Sequence, residues 1–141
     1  MPSKGSAEWN GDLKSGRGEF LAGDSITGNY SFKSRFEDGD GANPEQLIGA
    51  AHAACFSMAL SNMLAEAGNT PDSVKTEAVV TLKIVDDEPT ITKIALTTVG
   101  NVPGIDEDTF KEHAEAAKKG CPVSKALAGV GEITLDATLE G

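Results

Sequence analysis

The sequence predicts an α+β domain. Three features carry that expectation: a turn-rich first forty residues with short alternating segments, one long apolar segment opened by a helix-start signal, and two long alternating segments followed by an amphipathic one. The 16 glycines and the small aromatic complement, one Trp, one Tyr and five Phe, suit strands and turns at the start better than a helical bundle. No repeat, linker or low-complexity tract interrupts the 141 residues. Residues 1–141 are therefore expected to form a single domain, large enough to bury about two-thirds of the surface of its unfolded chain.

In chain order, Trp9-Asn10-Gly11-Asp12 and Ser15-Gly16-Arg17-Gly18 are turn signals. Residues 19–22 and 30–36 read as short strands. In the second, Tyr30, Phe32, Ser34 and Phe36 fall on one face and Ser31, Lys33, Arg35 and Glu37 on the other. That places Arg35 on the polar side of an aromatic strand. Residues 38–42 form an acidic, glycine-rich loop. Asn43-Pro44-Glu45 then opens a helix with an N-cap, a proline in its first position and an acid in its first turn.

This helix is expected to run from 44 to about 67 and to stop at Gly68. It is apolar almost all round, so burial on most faces is predicted. Its length and hydropathy also suit a membrane span, but His52, Ser57, Ser61 and Asn62 inside it, and Glu45 and Glu66 at its ends, argue against one. One small sheet cannot cover such a helix, which points to a second subunit doing so.

The turn at 69–72 leads into alternation over 74–85, a connection at 86–89 and a returning segment at 91–99, together an antiparallel hairpin. Residues 105–119 form an amphipathic helix with Asp106, Glu107 and Asp108 first and Lys118 and Lys119 last, matching the helix dipole. Gly120 ends it, Pro122 starts a short helix over 122–128, and a strand over 132–140 turns Ile133, Leu135, Ala137 and Leu139 inward.

Charge narrows the function. Twelve basic against 22 acidic residues leave a net charge of −10, which argues against binding nucleic acid or an anionic membrane surface. The stretch 1–10 is polar and unlike a secretory signal, so a cytoplasmic, reducing location is expected. There, a permanent disulfide between the two cysteines, Cys55 and Cys121, is not expected.

Among candidate chemistries, the glycine-rich loops form neither a P-loop nor a dinucleotide fingerprint. Two Cys and two His make a zinc-like count. His52 and Cys55 share a helix face, but no tight Cys-x-x-Cys knuckle accompanies them, so no metal or other cofactor is expected. His52 reads as a core or interface histidine and His113 as a solvated one. Cys55, between Ala54 and Phe56, has the setting of a small buried hydrophobe, whose thiol is inert unless a cation reaches it. Cys121, just ahead of Pro122, would sit at a helix start that favours a thiolate. Local physics makes Cys121 the more acidic thiol and leaves open whether the two cysteines react or merely pack.

The run Asn43-Pro44-Glu45-Gln46-Leu47-Ile48-Gly49-Ala50-Ala51-His52-Ala53-Ala54-Cys55-Phe56, with Gly120-Cys121-Pro122-Val123-Ser124 far downstream, resembles the OsmC/Ohr family of osmotically inducible and organic hydroperoxide resistance proteins. The resemblance extends over essentially the whole chain, and Cys121-Pro122-Val123-Ser124 and Ser34-Arg35-Phe36-Glu37 look more like the OsmC branch. It implies an α+β OsmC-like fold, antiparallel sheets packed on a long buried central helix, in an intertwined homodimer with a thiol peroxidase site at the subunit interface. Cys55 would be the peroxidatic thiol and Cys121 the resolving one. Substrates would be organic hydroperoxides, with an external dithiol as reductant. The competing classes are a protein that binds a small apolar ligand without catalysis and a metal-binding one.

By the same resemblance, an arginine with a glutamate partner activates the peroxidatic thiol, and Arg35 and Glu45 stand at the matching positions. Ten positions of helix put Glu45 about 15 Å from Cys55, so Glu45 cannot touch the thiol of its own helix. Either Arg35 spans a longer gap or Glu45 serves the partner's site. Arg17 is the rival arginine, because the Ohr branch uses one from an early strand.

Overall fold

The computed structural model describes residues 1–140 and contains two three-stranded sheets and four helices, an α+β architecture. The chain divides into two compact units, one ending at Leu47 and the other beginning at Ile48.

The first unit is an antiparallel meander of β1 (Gly5–Asn10), β2 (Arg17–Ala22) and β3 (Ile26–Tyr30). β1 extends through residues whose turn signals hide it, and the Trp9 indole N–H closes the following loop onto the Gly11 and Asp12 carbonyls. Trp9 and Phe20 both pack on Tyr30, with ring centroids 5.5 and 6.4 Å apart. Gly18 lies beneath them: a Cβ there would come within 2.6 Å of the Tyr30 ring, so only glycine fits.

The strand expected over 30–36 is instead the end of β3 followed by a helical turn, α1 (Phe32–Phe36). Ser31 and Ser34 form a reciprocal capping box: Ser31 Oγ accepts from Ser34 N–H at 3.1 Å and Ser34 Oγ accepts from Ser31 N–H at 2.8 Å. The rings of Phe32 and Phe36 meet at 5.0 Å. A spacing of four is common to one strand face and one helix face, so alternation alone could not separate the two. Arg35 therefore projects from a helix and not from a strand.

The helix α2 (Pro44–Glu66) starts at Asn43, whose Oδ1 accepts from Gln46 N–H at 2.8 Å, and ends before Gly68 at φ +90°. It begins in the first unit and continues through the second. Its bounds match expectation, and within one chain its burial is confined to a stripe. One stripe, Glu45, Gly49, His52, Phe56, Leu60 and Leu64, is buried, while Ala50, Ala51, Ala54 and Met58 face outward and Met58 is 75% exposed. The chain by itself covers one face only. The helix is long and apolar enough to cross a membrane, yet its buried stripe joins a core with Ile94, Leu96, Val102, Phe110 and Ala137.

That core belongs to the second unit, where β4 (Ser73–Val85) and β5 (Glu88–Asn101) form the expected hairpin. Asp86 and Asp87, at φ +51° and +65°, make its two-residue turn, a conformation aspartate tolerates. α3 (Glu107–Gly120) and α4 (Pro122–Ala126) carry the chain to β6 (Glu132–Leu139), which pairs with β5 in parallel. This sheet is thus mixed where an antiparallel one was expected, because the helical crossover returns the chain to the end of the sheet from which β5 set out.

Two contacts fix the layers. Ser57 Oγ on α2 donates to Thr76 Oγ1 on β4 at 2.7 Å, which meets the buried Thr98 Oγ1 on β5 at 3.0 Å. Gly100 lies flat under the Phe110 ring, where any Cβ would collide with it. Gly100→Ala is expected to cost about 1–3 kcal/mol through overpacking, read as a lower urea midpoint. Adding Phe110→Leu should recover part of that loss non-additively.

Candidate active site

The second unit brings together the two cysteines that stand 66 residues apart in sequence. Their Sγ atoms are hydrogen-bonded at 2.9 Å, and both are free thiols. That separation is about 1 Å longer than a disulfide bond. Cys55 sits on α2 and is partly accessible, whereas Cys121 is fully buried at the junction of α3 and α4. The junction is held on both sides, since Cys121 N–H donates to Ala117 O at 2.9 Å and Cys121 O accepts from Lys125 N–H at 3.1 Å.

The two thiols differ in acidity. Burial pushes Cys55 up, and the hydrogen bond with Cys121 adds to that, outweighing the opposing N–H of Val123. Burial raises Cys121 as well, but hydrogen bonds from the Cys55 thiol, from the backbone and hydroxyl of Ser124 and from Val123 N–H together bring it below the ordinary thiol value. Of the pair, Cys121 is therefore the more acidic thiol, in the order the sequence suggested.

Arg35 and Glu45 form the other predicted pair, and both lie in the first unit. Arg35 Nη2 donates to Glu45 Oε1 at 2.7 Å and Nε donates to the same carboxylate at 3.2 and 3.3 Å, a two-pronged grip. The Glu45 side chain is 8% exposed and that of Arg35 35%. Ser34, whose hydroxyl donates to Ala42 O at 2.7 Å and whose carbonyl accepts from Asn43 Nδ2 at 3.0 Å, ties α1 to the segment ahead of α2. The guanidinium also lies 5.4 Å from the Phe36 ring centroid. Its Nη1 edge makes no hydrogen bond among the described residues. Arg17, the rival, opens β2 in a groove with Glu19, Asn29 and Asp40 and has no ion-pair partner among the described residues.

Two residues that sequence reasoning did not join also meet here. The fully buried His52 reaches Ser124 Oγ with its Nε2 at 2.7 Å. The only available signal was that each belongs to a motif segment carrying a cysteine. Among the described residues no group of three or more His, Cys, Asp or Glu side chains is placed to hold a metal ion.

Two thiols within about an ångström of bonding, one buried and one reachable, on an α+β scaffold define a two-cysteine redox protein. The chain belongs to the OsmC-like protein family, whose model matches residues 37–136. It is 53% identical over 139 residues to peroxiredoxin OsmC of Escherichia coli K12, covering 97% of this chain and 96% of that protein. It is 37% identical over 96 residues to the organic hydroperoxide resistance protein OhrB of Bacillus subtilis, 68% of this chain and 69% of that protein. The crystal structure of Bacillus subtilis OhrB superposes with a TM-score of 0.71 at 26% identity, over 99% of this chain and 98% of that one.

Proposed function

We propose that this protein is a cysteine-based peroxidase that reduces organic hydroperoxides to alcohols, and hydrogen peroxide less efficiently. The observation that carries the reading is the 2.9 Å approach of Cys55 and Cys121. The Cys55 thiolate attacks the distal peroxide oxygen, the O–O bond breaks, and the alkoxide takes a proton to leave as alcohol. Cys55 becomes a sulfenic acid, Cys121 displaces its hydroxyl as water, and a disulfide forms. An external dithiol restores both thiols by exchange. No cofactor takes part.

Cys55 must be the nucleophile although burial makes it the less acidic thiol of the pair. A cation has to reverse that order, and we assign this role to Arg35 held by Glu45. The two-pronged ion pair and the unused Nη1 edge support the assignment, since the fork can grip a carboxylate and still donate to a thiolate or peroxide. A second copy of the chain would cover the exposed apolar face of α2, giving a homodimer in which residues 1–141 act as one domain per subunit. The reading places the protein in the cytoplasm, without nucleic-acid or membrane partners, in line with its charge of −10.

One equivalent of cumene hydroperoxide added to the reduced protein should remove both thiols, form one disulfide within each chain and release one equivalent of the alcohol. A protein that only binds small apolar molecules, for which the apolar cavity of about 410 Å³ beside Phe20, Tyr30 and Leu47 offers room, would keep both thiols. Elemental analysis would expose a metal-binding protein.

A further inference from the structure

The reaction just described leaves His52 and Ser124 without a task, yet both are buried polar residues. His52 lies one helical turn before Cys55 on the same face of α2, and Ser124 one turn after Cys121 in α4. Two contacts cross between these segments in opposite order: His52 Nε2 to Ser124 Oγ at 2.7 Å and Cys55 Sγ to Cys121 Sγ at 2.9 Å. Among the described residues these are the hydrogen bonds that join α2 to the α3–α4 junction. The backbone bonds of Cys121 run to Ala117 and Lys125, inside α3 and α4 themselves. α3 is anchored in the apolar core through Phe110, Ala114 and Ala117, whereas Ser124 is the buried residue of α4. Burial pushes the imidazole pKa down, so the ring is neutral and its bond to Ser124 is a neutral hydrogen bond, whichever partner donates the proton.

We propose that His52 and Ser124 clasp α4 to α2 and thereby hold Cys121 against Cys55, setting how readily the two close to a disulfide. On the peroxidase reading, on which its place in the cycle rests, that closure is the resolving step. The Cys121 thiolate attacks the Cys55 sulfur of the sulfenic acid, the S–S bond forms and the S–O bond breaks. The hydroxide leaves as water with the proton that Cys121 gave up. The contact between the two thiols cannot hold them through this step, because neither sulfur then carries a proton. The His52–Ser124 bond exchanges no atom with peroxide or sulfur and stays made throughout. Both are positioning residues, acting on the distance between two sulfurs without touching the reacting bonds.

Closure can be read without peroxide. In mixtures of reduced and oxidised glutathione the dithiol passes two electrons to the oxidised form, and the fraction of Cys55–Cys121 disulfide gives an equilibrium constant. Ser124→Ala should lower that constant about three- to tenfold, the worth of one buried hydrogen bond, tenfold being about 30 mV. His52→Leu should do the same, and His52→Leu/Ser124→Ala should fall no lower than either single variant, since both remove one contact. His52→Gln, whose amide nitrogen reaches near the place of Nε2, should recover part of the loss. His52→Asn, whose amide reaches only as far as Nδ1, should not. A change in folding stability alone moves none of these, because the constant is measured between two folded forms. A constant equal to the parent's in Ser124→Ala, or additive losses in the double variant, would overturn the proposal. Should the His52 variants fail to fold, Ser124→Ala, which removes a single oxygen, decides alone. With one equivalent of cumene hydroperoxide, the ratio of disulfide to dimedone-labelled sulfenic acid should fall by a like factor in Ser124→Ala. If the glutathione constants respond as expected but the parent forms no disulfide with peroxide, the peroxidase reading falls and the clasp stands as a control on the dithiol pair. If the parent closes with peroxide and the constants do not move, the clasp alone falls.

Discussion

Cys55→Ser is expected to lower consumption of cumene hydroperoxide in the presence of dithiothreitol by about 10³-fold or more, because a serine hydroxyl without a general base does not become a nucleophile near neutral pH. Cys121→Ser separates the two thiols. It should consume one equivalent of peroxide per chain and then stall, with Cys55 trapped as a sulfenic acid that a dimedone-type reagent labels. Full activity in Cys55→Ser would overturn the assignment of the nucleophile. Repeated fast turnover in Cys121→Ser would leave Cys55 in place and remove Cys121 from the cycle.

Arg35→Ala is expected to have the next largest effect, a fall of about 10²-fold or more in the rate of Cys55 oxidation, comparable to losing a fixed electrostatic partner at other reacting centres. The sign of the pH dependence is set by burial, which already pushes the Cys55 thiol up. Only the deprotonated sulfur attacks, so the rate climbs with pH through the Cys55 titration. Without the cation that limb should move to higher pH and activity should recover in alkaline buffer. Arg35→Lys keeps a charge but loses the fork, so an intermediate rate is expected. Removing Arg35 also strands the 8% exposed carboxylate of Glu45. Since the arginine side is about a third open to water, the stability loss should be about 2 kcal/mol, less than for a fully buried pair. Comparing Arg35→Ala with Arg35→Ala/Glu45→Gln by thermal unfolding separates this loss from the kinetic one. An unshifted pH profile in Arg35→Ala would pass the activating role to Arg17.

What the sequence made legible follows from how local each signal is. The start of α2 was readable because Asn43, Pro44 and Glu45 act within one turn, and the β4–β5 hairpin because its alternation is long and its connection short. Where a local signal had two meanings, the reading failed. Phe32 and Phe36 serve a strand face and a helix face equally, and the Ser31–Ser34 capping box decided for the helix. β1 was hidden because Trp9 and Asn10 end a strand and begin a turn at once. The parallel seat of β6 is a long-range pairing on which its own residues are silent. The same holds for the site. Motif resemblance supplied both pairs, but only the fold fixes Sγ to Sγ at 2.9 Å and joins His52 to Ser124. Hydropathy marks the faces of α2 that avoid water without saying which chain covers them, and within one chain only a stripe is covered.

The seating of Cys121 has one more consequence for the cycle. Its backbone is locked into α3 on one side and α4 on the other, so in the proposed cycle its sulfur would already stand 2.9 Å from Cys55 Sγ with no segment having to unwind first. A sulfenic acid on Cys55 would then have little time in which a second peroxide molecule could oxidise it further to the irreversible sulfinic acid. Resistance to overoxidation is on this view a product of fixed geometry, and it should give way only when peroxide is abundant enough to outpace a closure that needs little more than the turn of a side chain.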